Sequence, residues 1–315
     1  MHKLSLVVYM SEFKKFMAVF ISAVVLGTML TVGALRMFPT VQEQAQRGDL
    51  ATGNNHFSVV YQGFIPGYSA NFPDYYLCIN DLKDNPLRMS IRLFIQNQEA
   101  SAYYFRIEQH STPPAGWTIY PYNVGLIAID GTLEFVYSEM YRALPSSIPA
   151  GELIETVNLD MKAYVDAGYT SLYSADNFTV TYHMIDRMDP SWTVIEYNNF
   201  DDQTNQGWTP GQTTTQYYRS FRYSLYSGSG YFTKTFNVIG YSKAYLICPI
   251  RMISTTPTPS ILIDGTKYFQ SEVSVPLNVW YSYTVPLPVY PNPTPIVRIE
   301  GFGGAYMDDV YLIGQ

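Results

Sequence analysis

Aromatic side chains are the residues of this chain whose types and positions could support binding chemistry. The 315 residues include 29 Tyr, 17 Phe and 4 Trp. A flat ring can stack on the apolar face of a sugar, and a ring with a polar tip also suits a protein interface. The alternation of apolar residues around many rings favours core positions for most of them. The rings that we predict to be available for a ligand lie in the second half of the chain: Trp208, Tyr218, Tyr226 and Trp280.

Arrangements typical of an active site are missing from the sequence. The segment 228–230 places a serine between glycines but lacks the GxSxG pattern of a nucleophile elbow. Asp201 and Asp202 could serve as acid and base in glycoside hydrolysis, but neighbours in sequence turn to different sides. The four histidines form no HxH or HExxH pattern: His2, His56, His110 and His183. We therefore predict that the protein is not an enzyme and that His183 is a surface residue.

The two cysteines, Cys78 and Cys248, lie in different halves of the chain and inside apolar runs. Two buried free thiols are the simplest interpretation, because a structural disulfide usually links residues of one domain. A disulfide that joins the two halves is the alternative.

Composition and charge exclude two classes of protein. Charged residues make up 14% of the chain and aromatic residues 16%, which is too apolar for a disordered chain. The net charge is -7, and the basic residues are scattered. A nucleic-acid-binding protein would instead show a basic patch, so nucleic acid is not an expected partner.

Residues 16–35 form an uncharged apolar segment that is long enough to cross a bilayer once. Twenty residues at ~1.5 Å each give a helix of ~30 Å, the thickness of the hydrocarbon layer. Positive charge before the segment favours cytoplasmic residues 1–15 and an outward-facing remainder. A cleaved signal peptide is the alternative, and the protein would then be secreted. Residues 36–56 are polar and predict a stalk.

From residue 57 to residue 188 the hydrophobic pattern has a period of two. Apolar and polar residues alternate at 87–95 and again at 178–184, which is typical of half-buried antiparallel strands. Turns rich in Pro and Gly separate about seven such segments, a number that suits a sandwich. The stretch resembles the immunoglobulin-like modules of prokaryotic surface proteins. Pro190 lies at the predicted boundary with the next domain.

The second half of the chain carries a more specific resemblance. Residues 194–202 (VIEYNNFDD) lead into a Gly-Trp pair at 207–208, the segment 228–232 (GSGYF) follows, and residues 304–313 (GAYMDDVYLI) come near the end. This order resembles the jelly-roll sandwiches of carbohydrate-binding modules and related galactose-binding-like domains. The resemblance implies a jelly-roll domain over residues 189–315.

Many domains of that kind hold a structural calcium ion between their first and last strands. The positions that match this pattern are Glu196, Asp201 or Asp202, and Asp308 or Asp309. Ca²⁺ takes about six to eight oxygen ligands, so carboxylates from both ends of a sandwich would hold its termini together. The resemblance therefore implies a Ca²⁺ site here. The alternative is that these are ordinary exposed strand and turn residues.

These patterns together predict an all-β protein with two β-sandwich domains, immunoglobulin-like at 57–188 and jelly-roll at 189–315, behind one N-terminal transmembrane helix. We predict a non-catalytic, membrane-anchored extracellular protein that binds glycans or mediates adhesion through the jelly roll. The alternative is a structural component of a cell envelope, surface filament or membrane complex, in which exposed Tyr residues and Pro-rich edges make protein contacts. The low charge and high Tyr content resemble those of archaeal envelope proteins. Expected partners are a glycan or a surface protein, the membrane, and a second copy of the chain.

Overall fold

The computed structural model describes residues 57–64, 68–69, 74–82, 86–145, 148–220, 222–253, 259–270 and 277–315. The predicted cytoplasmic segment 1–15, the membrane helix 16–35 and the stalk 36–56 lie outside these residues. Within the described ranges, no helix has the length and apolar character needed to span a membrane.

The described part of the chain consists of strands, turns and two short 3-10 turns at Ile79–Asp81 and Pro149–Gly151. The all-β fold is as predicted. In chain order the strands are β1 (Phe57–Phe64), β2 (Tyr68–Ser69), β3 (Asp74–Cys78), β4 (Leu87–Asn97), β5 (Tyr103–Gln109), β6 (Trp117–Ile119), β7 (Tyr122–Ile127), β8 (Thr132–Arg142), β9 (Glu152–Tyr164), β10 (Leu172–Ile185), β11 (Thr193–Asn198), β12 (Gln212–Thr214), β13 (Ser224–Ser227), β14 (Tyr231–Thr235), β15 (Ala244–Met252), β16 (Ser260–Ile263), β17 (Thr266–Gln270), β18 (Trp280–Leu287), β19 (Ile296–Glu300), β20 (Ala305–Met307) and β21 (Val310–Gly314).

The first sandwich packs two sheets face to face around one core. One sheet has the strand order β1-β4-β8-β6 and the other β3-β10-β9-β5-β7. Strands β3 and β10 run parallel to each other. The residues of β4 and β10 that face the core are those that the alternating pattern predicts: Met89, Ile91, Leu93, Ile95, Phe178, Val180, Tyr182 and Met184.

The second sandwich also has two sheets. One has the order β11-β21-β15-β20-β13-β12, with β18 also paired to β15, and the other has the order β14-β19-β16-β17-β2. Strand β2 lies within the predicted first domain but pairs with β17 of the second sandwich. The chain therefore contributes one strand to the second sandwich before it completes the first one.

Both sandwiches belong to one compact unit, and a small apolar core joins them. Trp192, at the predicted boundary, is buried and packs its ring edge-on against Tyr245 at 5.5 Å. Gly151 has a φ of +74°, and a Cβ there would lie 2.0 Å from Nε1 of Trp192, so only glycine fits. The buried residues of this joining core are Cys78, Ile185, Trp192, Tyr245, Ile247 and Ile313.

Both cysteines are buried free thiols, so the alternative of a disulfide between the halves is wrong. Cys78 lies in the core that joins the sandwiches, and Cys248 lies in the core of the second one. Burial raises the pKa of Cys78 to about 11 and that of Cys248 further still. Neither thiol is therefore ionised at neutral pH.

A buried carboxylate of the first sandwich, Glu152, binds groups from both sandwiches. It accepts a hydrogen bond from the Tyr245 hydroxyl at 2.7 Å, lies 2.8 Å from Nδ1 of His183, and contacts the Lys243 ammonium. His183 also stacks on Tyr76 at 4.2 Å and is largely buried, so the prediction of a surface histidine is wrong. Burial alone would raise the pKa of Glu152, but its hydrogen bonds outweigh this effect and lower the pKa to about 2.

We expect the free energy of unfolding to fall as the pH is lowered from about 4.5 to about 2. The pKa of Glu152 is lower in the folded protein than its usual 4.5, so the stabilisation is complete above pH 4.5 and is lost as the pH falls through 2. The loss should be on the order of 2–3 kcal/mol. Urea unfolding from pH 7 to pH 2 would measure it. The difference between wild type and Glu152→Gln should shrink over this range, and a constant difference would contradict the expectation.

Candidate functional site

Four residues from four neighbouring strands stand side by side on one face of the second sandwich. Tyr226 of β13 is the cross-strand neighbour of Tyr306 of β20. Arg251 of β15 is the neighbour of Tyr306 on the other side. Trp280 of β18 lies opposite Arg251. We refer to Tyr226, Tyr306, Arg251 and Trp280 as the outer-face row.

The outer-face row lies on the side of the sheet away from the core. Successive residues of a strand point to opposite faces, and Leu225, Ile250 and Met307, which precede or follow members of the row, are fully buried in the core. Three members of the row, Tyr226, Arg251 and Trp280, are partly exposed, whereas Tyr306 is buried beneath neighbouring side chains. The row therefore presents two rings, those of Tyr226 and Trp280, and the Arg251 cation at the surface.

A second layer of side chains packs on Tyr306. The ring of Tyr217 meets the Tyr306 ring edge-on at 5.0 Å, and the Tyr226 ring lies at 5.0 Å from it. The Tyr306 hydroxyl donates to Oε1 of Gln216 at 2.7 Å. Burial and the two nearby tyrosines raise the pKa of Tyr306, while the positive charge of Arg251 lowers it. Tyr306 is therefore a neutral phenol at physiological pH.

Arg251 supplies the positive charge of the site. Its guanidinium lies over the ring of Tyr217, with Cζ 4.0 Å from the ring centroid. A cation over an aromatic face is attracted by the ring quadrupole, worth about 0.5–2 kcal/mol. The ring covers one face of the guanidinium. The N–H groups lie in the guanidinium plane and make no hydrogen bond through this stacking.

Two of the predicted metal ligands hold the segment that carries Tyr217. Asp308 is fully buried, and its Oδ2 accepts the backbone N–H groups of Arg219 at 2.7 Å and Ser220 at 3.3 Å. Asp309 Oδ1 accepts the hydroxyls of Ser220 and Tyr197, both at 2.7 Å. Burial is the largest influence that raises the pKa of Asp308 to about 6. The acidic pair thus fixes the segment between β12 and β13 against the sheet.

The first sandwich forms one side of the site. Asp81 accepts a hydrogen bond from the hydroxyl of Ser282 at 2.5 Å, and it pairs with Arg219 at 2.9 Å. Ser282 is two residues from Trp280 in β18, so both side chains are on the same face of that strand. The outer-face row therefore begins where the contact between the sandwiches ends.

The predicted ligand-binding residues separate into two groups. Tyr226 and Trp280 belong to the outer-face row, and Tyr218, which is 49% exposed, follows Tyr217 directly. Trp208 is fully buried, and its Nε1 donates to Oδ1 of Asn198 at 3.0 Å. The ring of Trp208 packs in the core and is not available for stacking on a ligand, which corrects that part of the prediction.

Glu196, the first predicted metal ligand, is engaged by an internal cation. Its carboxylate contacts the ammonium of Lys234, a residue of β14 that is largely buried. The same ammonium contacts the backbone oxygen of Gln206 and lies 3.1 Å from Oδ1 of Asn198. Lys234 therefore places a fixed positive charge among the oxygen atoms of the first strand and the acidic loop.

The other two predicted metal ligands, Asp201 and Asp202, accept hydrogen bonds from backbone N–H and hydroxyl groups. Asp201 accepts the backbone N–H of Arg222 at 3.2 Å. Asp202 accepts the N–H and the hydroxyl of Thr204, both at 2.9 Å, which is the pattern of a local turn. In the part of the chain that the structure describes, no three His, Cys, Asp or Glu side chains are grouped so that they could hold a metal ion. The Ca²⁺ site implied by the resemblance stays a prediction.

We expect Lys234→Met to lower the free energy of unfolding by about 2–3 kcal/mol, because it leaves Glu196 and the oxygens around it without their cation. Chemical denaturation would measure this. The exposed pair of Arg298 and Glu300 is a control, and Arg298→Gln should cost at most about 1 kcal/mol. Adding CaCl₂ to the wild type tests the implied metal site separately. A calcium-dependent rise in Tm would support that site, and an unchanged Tm would support Lys234 as the only cation bound by Glu196.

No family model and no curated protein matches the chain. Solved structures that are similar include a carbohydrate-binding module of the β-sandwich superfamily, with 12% identity over 82% of this chain and 99% of that chain and a TM-score of 0.30. An adhesin domain of Lys-gingipain from Porphyromonas gingivalis matches with 14% identity over 38% of this chain and 98% of that chain, at a TM-score of 0.28. The CBM51 module from Clostridium perfringens, solved with methyl-galactose, matches with 13% identity over 39% and 92% of the chains, at a TM-score of 0.22. These likenesses are too distant to say what this chain binds.

Arg251, Tyr306 and Gln216 were not found from the sequence. Arg251 is the only charged residue of β15, a strand that is otherwise apolar apart from Tyr245 and is buried over most of its length. A single charged residue near the end of such an apolar strand could have indicated Arg251 as a functional residue. Strand pairing places Arg251 beside Tyr306 and Trp280, which are distant from it in sequence. A hydrophobic pattern does not show which strands pair or in which register.

Proposed function

We propose that this protein is a non-catalytic glycan-binding protein and that the outer-face row of the second sandwich is its binding surface. The observation that carries the proposal is the cross-strand register of Tyr226, Tyr306, Arg251 and Trp280, which places two partly exposed rings on either side of a cation. Aromatic rings offer apolar faces for sugar rings, and the guanidinium offers donors for sugar oxygens.

The dimensions of the site also support a glycan. Neighbouring strands are ~4.8 Å apart, so the four strands that carry the row extend it over ~14 Å. This length suits an extended oligosaccharide rather than a single small molecule. The packing of Tyr306 against Tyr217 and Tyr226, and its hydrogen bond to Gln216, hold the surface in place before a ligand arrives. Preorganisation of this kind lowers the entropic cost of binding.

The predicted setting agrees with such a role. An N-terminal membrane segment at 16–35 would display the two sandwiches outside the cell, where glycans and other surfaces are encountered. The contacts of Asp81 with Arg219 and of Glu152 with Lys243 and Tyr245 hold the second sandwich against the first, which would then act as a rigid support. Adhesion through bound glycans is the cellular role that we infer from this arrangement.

The proposal is tested by glycan-array binding of the full chain, followed by calorimetry on the glycans that it selects. Trp280→Ala should weaken binding by about tenfold or more, which is about 1.4 kcal/mol, while the Tm stays near that of the wild type. Tyr290→Ala is the matched control, because Tyr290 is 87% exposed and lies outside the row. It should bind as the wild type does.

Two results would contradict the proposal. The first is a wild-type chain that binds no glycan on the array. The second is glycan binding that Trp280→Ala leaves unchanged. A chain that binds no glycan but forms oligomers as its concentration rises would support the structural alternative instead.

A further inference from the structure

Arg251 differs from the other arginines that are withdrawn from solvent. Arg142 pairs with Glu155 at 2.7 Å. Arg187 pairs with Asp81 at 3.0 Å. Arg251 pairs with no carboxylate of the described residues. Its Nε is buried without a hydrogen-bond acceptor there, as is Nε of Arg187, so the missing ion pair is what distinguishes Arg251.

A guanidinium without a carboxylate partner among the described residues has an energetic cost. Partial burial removes water from the N–H groups, and a charged donor that is left without an acceptor costs about 1–3 kcal/mol or more. Stacking on Tyr217 offsets part of this cost but satisfies none of the N–H groups. A ligand that brings a negatively charged acceptor to this partly exposed side chain would recover part of the cost.

Arg251 lies in the outer-face row, so an acceptor that binds it also lies at the proposed binding surface. Tyr306 and Trp280 are its neighbours on the two adjacent strands, so a ligand that contacts the rings of Tyr226 and Trp280 passes beside the guanidinium edge, while Tyr217 covers one face of that group. A carboxylate matches the guanidinium edge with two parallel hydrogen bonds, which a neutral hydroxyl cannot do. The protein is acidic overall, with a net charge of -7, so a cation placed here is a local feature and not part of a general positive field.

We propose that the outer-face row selects acidic glycans, and that Arg251 binds the carboxylate of a uronic acid unit while Trp280 and Tyr226 contact the sugar rings on either side. This inference rests on the proposed function and specifies its class of ligand.

The test compares tetragalacturonate with its methyl ester, which has the same rings without the charges. Calorimetry on the full chain at low salt should show binding of the acid about tenfold or more tighter than binding of the ester. Arg251→Gln should weaken binding of the acid by about 10- to 100-fold and binding of the ester much less, so that the preference for the acid is lost. Raising the salt concentration should weaken binding of the acid and not of the ester.

Arg298→Gln is the matched control. Arg298 also stacks on a tyrosine, with Cζ 4.2 Å from the centroid of the Tyr231 ring, but it lies on β19 in the opposite sheet. Its replacement removes the same charge from the same sandwich, so the preference for the acid should persist. If it disappears as well, net charge and not the position of Arg251 causes the selectivity.

Other outcomes overturn the inference in distinguishable ways. Equal affinity for the acid and its ester would refute selection of acidic glycans but leave glycan binding intact. Absence of binding to both ligands, and to every glycan on the array, would remove the proposed function as well. Tighter binding of a sulfated oligosaccharide, or of an acidic peptide, than of tetragalacturonate would refute the assignment to a sugar carboxylate.

Discussion

Replacing Asp81 by alanine is expected to lower the free energy of unfolding by about 3–5 kcal/mol. The side chain of Asp81 is 1% exposed and pairs with Arg187 at 3.0 Å and Arg219 at 2.9 Å. Removing the carboxylate would leave two partly buried guanidinium groups without their counter-charge, and uncompensated buried charges are costly. The hydrogen bond from Ser282 would be lost as well.

Denaturant unfolding followed by fluorescence would measure this effect. Asp81 belongs to the first sandwich, and Arg219 and Ser282 belong to the second. The two sandwiches of the variant should therefore unfold in separate transitions. Glu139→Ala is a suitable control, since Glu139 pairs with Arg88 at the surface and should cost less than about 1 kcal/mol. An Asp81→Ala protein within 1 kcal/mol of the wild type would show that the ion pairs do not hold the sandwiches together.

Replacing Trp208 by alanine is expected to destabilise the second sandwich by about 3–5 kcal/mol. The indole is fully buried, packs edge-on against Phe236 at 5.5 Å and donates to Asn198. Alanine would leave a large cavity and would also leave Oδ1 of Asn198 without one of its donors. The ring is thus a structural residue in this account, although its sequence context suggested a ligand-binding role.

Two variants separate these roles. Trp208→Phe keeps most of the volume and should cost less than Trp208→Ala in thermal unfolding. The folded Trp208→Phe protein should bind glycans with the affinity of the wild type. Loss of glycan binding in a variant that remains folded would show that Trp208 contributes to binding and would contradict its purely structural role.

The sandwich architecture could be predicted because it depends on local pattern. Alternation of apolar residues places Met89, Ile91, Leu93 and Ile95 on one face of a strand, and burial of that face requires a second sheet. The path of the chain could not be predicted in the same way. Strand β2 pairs with β17, about two hundred residues further along, and no local pattern specifies such a partner.

The candidate site could be predicted only in part, for related reasons. Tyr226 and Trp280 were found because their residue types suit stacking, but the same argument also selected Trp208, whose N–H is satisfied inside the core by Asn198. The acidic residues were assigned to a metal because the sequence does not show that Lys234 reaches Glu196 from β14. Residue type indicates what a side chain can do, and only the tertiary fold determines which partners it meets.

The measurement that tests the central claim most directly is an NMR titration of the indole N–H signals with a glycan selected on the array. Trp117, Trp192 and Trp208 are buried, while Trp280 is partly exposed in the outer-face row. The Trp280→Phe variant would assign its signal by the loss of one resonance. We predict that the Trp280 signal shifts with saturation and that the other three move little. A glycan that saturates the protein without shifting the Trp280 signal would show that the ligand binds elsewhere.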